Sequence, residues 1–368
     1  MPVSRNASCL SVMFDDDHAV ADAGLALAGV LSEKLGLLEH TEELVDVRPF
    51  PKRRVATLVH AMVAGAEHIE DADLLRSAST AEVLGHRVMA PSTLGTLLRN
   101  FGFGHVRQLD RLAQALLARA WATGAGPSAA PMTIDVDSSV CGVHGKKRQG
   151  AAYGDTKVLG CHALLATRSE TGEVLHVRFA KGSTGSGRAA ERFVREVVGS
   201  VRRCGASGPP TLRADSRFYS AKVMKACRDH GVAYSITAPQ NPSVRAAIEQ
   251  IDGAAWTPTD DTQSGEAWMA ETGYQGHRLF VRRTTLTEAP PALFPTFRSH
   301  AFVTSRIGDA VFLEPITGAT RWSSSRPATW RRAPDCHIFR PGASGRTAPV
   351  PCSRASPTTW CAGSPCSG

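Results

Sequence analysis

The sequence lacks an apolar run long enough to cross a membrane, and its cysteines lack the spacing of a metal site. A membrane-spanning helix needs about 20 consecutive apolar residues, and the 368-residue chain has no such stretch. None of the nine cysteines belongs to a Cys-x-x-Cys pair, so a structural zinc site is not indicated. Aspartates at positions 15 to 17, soon after Met1, argue against a secretory signal. We therefore expect a cytosolic protein with reduced thiols.

Positive charge exceeds negative charge over the whole chain. The formal net charge is +8 at pH 7, and the sequence pI is about 9.2. A basic protein attracts polyanions, and nucleic acid is a polyanion. The charge therefore favours a nucleic-acid-binding protein without identifying the surface that binds.

The first 125 residues have the periodicity of helices. Ala19 to Leu38 is rich in Ala and Leu, and Pro51 and Pro91 suit the first turn of later helices. Apolar residues with helical spacing are Val55, Leu58, Val59 and Met62, and then Leu109, Leu112, Leu116 and Leu117. We expect an all-helical N-terminal domain over residues 1–125. It is either a DNA-binding domain or a packed bundle, because no helix-turn-helix pattern decides between them.

A linker from Gly124 to Pro131 leads to a region with a different periodicity. Patterns typical of strands cover 132–140, 158–167, 174–180, 210–214 and 232–238, and patterns typical of helices cover 189–204, 220–230 and 243–251. The order is three strands, then helix, strand, helix, strand and helix. That order indicates an α/β, ribonuclease-H-like domain over residues 126–314. Residues 252–297 would be an insertion with a strand at 278–283, and residues 297–304 would form a further strand.

Two aspartates alternate with apolar residues in the first of these strands. Asp135 and Asp137 lie two apart, so both carboxylates would project from one face while Ile134 and Val136 enter the core. Adjacent carboxylates repel each other unless a cation lies between them. The pair is therefore either half of a divalent-metal site or a solvated strand end.

Asp215 ends the fourth predicted strand, which neighbours the first strand in a ribonuclease-H-like sheet. Asp215 would then meet Asp137, or Asp135, at one end of the sheet. Two carboxylates there suit Mg²⁺, or Mn²⁺, since these ions prefer oxygen ligands and retain water or phosphate. Such ions promote phosphodiester transfer.

Several basic and glycine-rich segments are candidates for contacts with phosphate. Lys146, Lys147 and Arg148 follow the first strand, and they are either a solvated loop or a DNA-backbone contact. Arg213 and Arg217 flank Asp215 and would either pair with acids or bind phosphate. The stretch 182–187 is rich in Gly and Ser but lacks the Gly-Lys-Ser/Thr of a nucleotide P-loop. A flexible turn is the simpler interpretation of that stretch.

Four other polar or aromatic residues have a structural interpretation beside a functional one. His144 and His162 are interpreted as structural histidines rather than metal ligands. Tyr219 and Trp256 are interpreted as packing residues, with stacking on an extruded base as the alternative.

Five segments, in consistent order from about Phe14 to Glu314, resemble the DDE transposases of bacterial insertion sequences. They are Ala90-Pro-Ser-Thr-Leu-Gly-Thr-Leu-Leu-Arg, Ile134-Asp-Val-Asp, Lys181-Gly-Ser-Thr-Gly-Ser-Gly-Arg-Ala-Ala, Arg213-Ala-Asp-Ser-Arg-Phe-Tyr and His300-Ala-Phe. The resemblance is to the IS-thirteen-eighty group of actinobacterial type in particular.

This resemblance implies metal-dependent cleavage at the ends of an insertion sequence and transfer of the strand to target DNA. It implies Asp215 as the second catalytic acid and Asp137, or Asp135, as the first. The partners would be terminal inverted repeats and target DNA, and the active form would be a homo-oligomer.

The pattern changes after Glu314, where residues 315–368 lack lysine and contain one acid, Asp335. The family has a helix with its third catalytic acid here, but no Glu follows Glu314. A shifted reading frame would permit His-Ala-Val-Val-Glu and later family motifs in the right order. We therefore interpret residues 315–368 as an out-of-frame tail that we expect to be poorly ordered; the alternative is a genuine Cys-rich segment.

The sequence thus favours a transposase whose activity is impaired by the missing third acid. Two alternatives are a catalytically inactive DNA-binding remnant of a transposase and a stand-alone ribonuclease-H-like nuclease.

Overall fold

The computed structural model describes residues 22–47, 51–77, 79–143, 149–154, 156–259, 267–285 and 297–308. Within these residues no helix has the length and apolar character needed to cross a membrane. The predictions for Lys146, Lys147, Arg148, His144 and the 315–368 tail lie outside them.

The described residues before the linker form helices and turns. The helices are α1 (Leu25–Leu35), α2 (Leu37–Leu44), α3 (Pro51–Val63), α4 (Thr80–Val83), α5 (Pro91–Asn100) and α6 (Phe103–Ala120), with a 3-10 helix at Glu70–Arg76 and a π-helical turn at Trp121–Ala125. Within the Ala- and Leu-rich stretch from Ala19 to Leu38, Gly36 separates α1 from α2. Its φ of 69° places it in the left-handed region that ends α1.

The helices pack around one apolar cluster. Its buried members include Val55, Leu75, Leu94, Leu97 and Leu112. The predicted stripe on α3 is correct at Val55 and Leu58, but Met62, in the last turn, is 37% exposed. The apolar face of α3 therefore ends before the helix does.

A mixed sheet follows the linker. Its strands are β1 (Met132–Gly142), β2 (Ala152–Tyr153), β3 (Leu159–Arg168), β4 (Val174–Lys181), β5 (Pro210–Ala214), β6 (Ala233–Thr237), β7 (Thr257–Thr259), β8 (Ala267–Tyr274), β9 (His277–Thr285) and β10 (Phe297–Thr304). Three helices accompany them: α7 (Ser186–Arg203), α8 (Ala221–Asp229) and α9 (Pro242–Glu249).

The strand order is β2-β3-β1-β5-β6-β10-β9-β8-β7, and β4 also pairs with β3. Strands β1, β5 and β6 are parallel, and the other pairs are antiparallel. Helix α7 covers one face through Phe193, Val197, Val198 and Val201, all buried as predicted, against Ile134 and Val136 of β1. The α/β class and the predicted order of the first five long strands are confirmed.

The insertion contains more structure than the sequence indicates. One strand is predicted at 278–283, but β7, β8 and β9 extend the sheet beyond β10. Strand β8 mixes Trp, Thr and Tyr with Ala, Glu and Gly, which are poor strand formers, and its apolar residues do not alternate regularly, so its sequence gives little signal. Gln275 and Gly276, both with positive φ, make the two-residue turn to β9.

Helix α6 connects the helical region to the sheet. Leu117 and Ala118 pack against the sheet core. Trp121, after α6, donates its indole N–H to Glu173 Oε1 at 3.2 Å. Arg107 at the start of α6 lies 3.9 Å from Glu196 on α7. Contacts at both ends therefore hold α6 against the edge of the sheet at β4 and α7.

Glycines permit close approach of three backbone segments beside β3. A Cβ on Gly182 would overlap the carbonyl oxygens of Gly160 and Ala152. The N–H of Gly182 donates to the carbonyl of Gly150 at 3.0 Å. The predicted flexible turn at 182–187 is therefore closely packed at its first residue.

We predict that Gly182→Ala destabilises the protein by roughly 1–3 kcal/mol, because backbone atoms rather than flexible side chains must move. The measurement is urea unfolding. Gly185→Ala is the matched control, since nothing lies within 4 Å of a Cβ there. Equal stability of the two variants would contradict the packing role.

A buried histidine pair lies in the helical core. His60 Nδ1 is 2.9 Å from His86 Nε2, and His60 Nε2 is 2.8 Å from Ser32 Oγ. Burial, and then the neighbouring His86, lower the pKa of His60 from 6.5 to about 4. The folded state therefore favours neutral His60.

We predict that acid weakens the protein through His60. The unfolded chain binds a proton at His60 below about pH 6.5, whereas the folded chain binds it only near pH 4. The contribution of neutral His60 to the free energy of unfolding is therefore fully present above pH 6.5 and is lost as the pH falls towards about 4. Urea unfolding across that range measures the decline. His60→Gln should reduce it, whereas His68→Gln, at a side chain that is 47% exposed, should not.

Candidate carboxylate site at the end of β1 and β5

The parallel pairing of β1 with β5 aligns two aspartates. Val136 is opposite Ala214 in the register, so the next residues along the two strands are Asp137 and Asp215. Neighbouring strands lie about 5 Å apart. Both aspartates are half-buried. The alternation of the strands puts their side chains on the face opposite α7.

Asp135 has a different environment, because Arg213 is its partner across the same pair of strands. Arg213 donates from Nε to Oδ1 at 2.5 Å and from Nη2 to Oδ2 at 2.6 Å. A third bond goes from Nη2 to Ser169 Oγ at 2.8 Å. The side chains of Arg213 and Asp135 are only 12% and 15% exposed. This two-point ion pair commits both oxygens of Asp135 to Arg213.

Backbone N–H groups orient the other two carboxylates. Asp137 Oδ1 accepts from the N–H of Ser138 at 2.7 Å. Asp215 Oδ1 accepts from the N–H of Arg217 at 2.9 Å and begins a 3-10 helix at Ser216–Phe218. The fully buried Phe218 anchors that short helix in the core. Each carboxylate is therefore fixed by its own loop or strand.

The remaining predicted site residues lie in several environments. Arg217 is exposed, and its backbone N–H donates to Asp215. His162 is buried, and its Nδ1 lies 2.7 Å from the carbonyl oxygen of Thr184. Tyr219 packs against the sheet core, and burial raises the pKa of its phenol. Trp256 packs against the same core and also contacts Arg283.

Sequence analysis missed two residues in the turn after β3 that contact β1 or Arg213. Ser169 accepts a hydrogen bond from Arg213, and Glu170 Oε1 accepts from the N–H of Thr133 at the start of β1. Both follow β3 in the hairpin turn that leads to β4. No sequence motif marks either residue; the register of β1 with β3, seen in the structure, puts this turn beside residue 133.

The described residues contain no group of three His, Cys, Asp or Glu side chains that could hold a metal ion. The site is therefore a pair of carboxylates, with oxygen donors from two neighbouring strands. A mixed sheet with such a pair is consistent with a nuclease-like α/β protein.

Three comparisons were made with known proteins. The sequence matches the family model described as transposase DDE domain group 1 over residues 4–281. Among solved structures it is similar to a piggyBac transposase in a synaptic complex with hairpin DNA, at 16% identity and a TM-score of 0.35. That match covers 86% of this chain and 60% of the other. No match was found among curated proteins.

The family model covers more than half of the chain. The protein therefore belongs to the DDE transposase family.

We predict that Asp135→Asn and Asp137→Asn affect stability differently. Loss of the Asp135 charge leaves the shielded Arg213 unpaired and should cost roughly 2 kcal/mol. Asp137→Asn removes repulsion from Asp215 and should leave stability unchanged or slightly higher. Urea unfolding of the two variants is the measurement, and a larger loss for Asp137→Asn would exclude the structural assignment of Asp135.

Proposed function

We propose that the protein is a transposase that cleaves DNA at the ends of an insertion sequence and joins the cut strand to target DNA. The observation that carries the proposal is the alignment of Asp137 with Asp215 in a chain of the DDE family. Strands β1 to β6 with α7 and α8 would form a ribonuclease-H-like catalytic domain, and residues 1–125 a helical N-terminal domain. The order β4-β3-β1-β5-β6 supports the first assignment.

Asp137 is the stronger candidate for the first catalytic acid. Asp135 is engaged by Arg213 at two points, and a cation at Asp135 would have to displace the guanidinium. Asp137 lies two residues further along β1 than Asp135, beside Asp215 on the neighbouring strand. The ion pair between Asp135 and Arg213 then fixes the β1–β5 register, on which the alignment of Asp137 with Asp215 depends.

The donor set of Asp137 and Asp215 fits a hard divalent cation. Two carboxylates from neighbouring strands match the oxygen preference of Mg²⁺ or Mn²⁺, which retain water and phosphate as further ligands. When bound, such an ion would activate an attacking oxygen and stabilise the leaving oxygen of a phosphodiester. The backbone N–H groups of Ser138 and Arg217 donate to Asp137 and Asp215, respectively, and so orient the two carboxylates that would hold the ion.

A second candidate function is DNA binding without catalysis. Among the described residues no third carboxylate joins the pair, and the sequence has no Glu after Glu314. A transposase that lost its third acid through a frameshift would still bind terminal repeats or form mixed oligomers. Reading the gene across codons 305 to 368 in all frames tests this history: a shifted frame with His-Ala-x-x-Glu supports it, and its absence argues against it.

DNA is the proposed partner, as terminal inverted repeats and as target, and a homo-oligomer is the proposed active form. The net charge of +8 supports a polyanionic partner. A stand-alone nuclease is distinguished by cleavage without preference for the element ends.

We predict that Fe²⁺ in place of Mg²⁺ directs cleavage of the protein backbone near residues 137 and 215. Bound Fe²⁺ with ascorbate and peroxide releases hydroxyl radicals at the metal position, so this readout does not require turnover. Asp137→Asn and Asp215→Asn should each abolish the fragments, whereas excess Mg²⁺ should suppress them. Fragments that persist in both variants would place the metal elsewhere.

Nicking of a supercoiled plasmid that carries the gene and its flanking DNA tests the reaction. Mg²⁺-dependent nicking that is lost in Asp137→Asn and Asp215→Asn supports the enzyme. Binding of the flanking DNA without nicking supports the inactive binder.

A further inference from the structure

An arginine in the insertion is surrounded by aromatic rings. The guanidinium carbon of Arg283 on β9 lies 4.0 Å from the ring centre of Trp256, 4.7 Å from Phe297 and 5.3 Å from Trp268. Trp268 and Phe297 also contact each other edge to face at 5.6 Å. Contacts with π faces at these distances stabilise a cation without neutralising it. We call these four residues the Arg283 cluster.

Arg283 has no acidic partner among the described residues. Its Nε is buried without a hydrogen-bond partner in the described residues, and its guanidinium contacts the three aromatic rings. The residue as a whole is half-buried, as are the three rings. Burial lowers the pKa of the guanidinium, but arginine keeps its charge in proteins. The cluster therefore presents a positive charge that lies against aromatic rings and whose guanidinium has no hydrogen-bond or ion-pair partner within the described part of the chain.

Another arginine on the same strand has hydrogen-bond acceptors in addition to an aromatic contact. Arg278 lies 4.8 Å above the ring of Phe280. It also pairs with Glu271 at 2.5 Å and donates to the carbonyl oxygens of Arg306 and Gly308. Arg278 thus has acceptors as well as a ring contact, whereas Arg283 has ring contacts alone among the residues that the structure describes.

The Arg283 cluster lies at the same end of the sheet as the carboxylates. Strand β9 runs parallel to β1, because β6–β10 and β10–β9 are successive antiparallel pairs. Arg283 is near the carboxyl end of β9, and Asp137 follows the last residue of β1 that pairs with β5. Four strand spacings separate β1 from β9, or about 19 Å. That distance corresponds to about six nucleotides along one DNA strand.

The two sites use opposite faces of the sheet but share its carboxyl edge. Arg283 is opposite Ser299 of β10 in the register, on the face that carries Val303 and, through β6, Ile236. Asp137 is on the other face. DNA that follows the edge, rather than lying on one face, would reach both.

We propose that Arg283, held by Trp256, Trp268 and Phe297, binds a backbone phosphate of DNA at a distance from the bond that is cut. A phosphate in the plane of the guanidinium would accept two hydrogen bonds from it. The aromatic rings keep the side chain extended and exclude a competing carboxylate. This inference rests on the proposed function, since it takes DNA as the substrate.

The test is the affinity of the full-length chain for a fluorescein-labelled DNA duplex, measured by anisotropy over a series of salt concentrations without divalent metal. Arg283→Met should weaken binding about tenfold and reduce the slope of log affinity against log salt by about 0.9, the value of one phosphate contact. Methionine would occupy the space between the aromatic rings that the Arg283 side chain fills, so the variant should fold. Arg283→Lys retains the charge and should keep the slope but lose part of the affinity.

Arg195→Gln is the matched control for loss of one positive charge. Arg195 is exposed on α7 and pairs with Glu191 at 3.0 Å, so its removal should leave the slope unchanged. If Arg283→Met binds with the affinity and slope of the unaltered chain, the Arg283 site is wrong while the proposed function stands. If the unaltered chain does not bind DNA, the proposed function itself fails. An equal loss of slope in Arg283→Met and Arg195→Gln would also overturn the site.

Discussion

The register between β1 and β5 is the constraint on which the site depends. A slip of one residue would turn Asp137 towards α7 and expose Val136. Two kinds of interaction prevent it: Ile134, Val136, Leu212 and Ala214 are buried in one core on one face, and Asp135 pairs with Arg213 on the other. An ion pair contributes little as a general source of stability, but a two-point pair specifies alignment well. The carboxylates beyond it are positioned as a result.

The parts of the fold that the sequence predicts well are those with strong periodicity. The apolar face of α7 was predicted because Phe193, Val197, Val198 and Val201 have unambiguous helical spacing. The insertion was predicted poorly, since β8 mixes strong and weak strand formers without regular alternation and its hairpin turn, Gln275-Gly276, lacks the Asn or Asp that would indicate it. The local sequence therefore predicts an element whose buried and exposed faces differ in polarity. An element without that contrast, such as β8, is defined by its pairing with neighbouring strands in the folded protein.

The candidate site shows the same division. Parallel pairing of the first and fourth predicted strands was enough to bring Asp137 and Asp215 to one edge. The sequence could not distinguish Asp135 from Asp137, because both share a face and the difference is the partner. That partner, Arg213, was known only as a neighbour of Asp215 along the chain. Ser169, which completes its hydrogen bonds, lies 44 residues away in sequence and has no local motif.

The pairing of β10 with both β6 and β9 has a mechanical consequence. An insertion joined to its domain by two loose connections would move as a lid, but this one continues the hydrogen-bonded ladder of the sheet. Displacing it would require breaking backbone bonds along β6 and β10. The spacing between the carboxylate edge and the far strands is consequently set by the backbone hydrogen bonds of the sheet and not by a hinge.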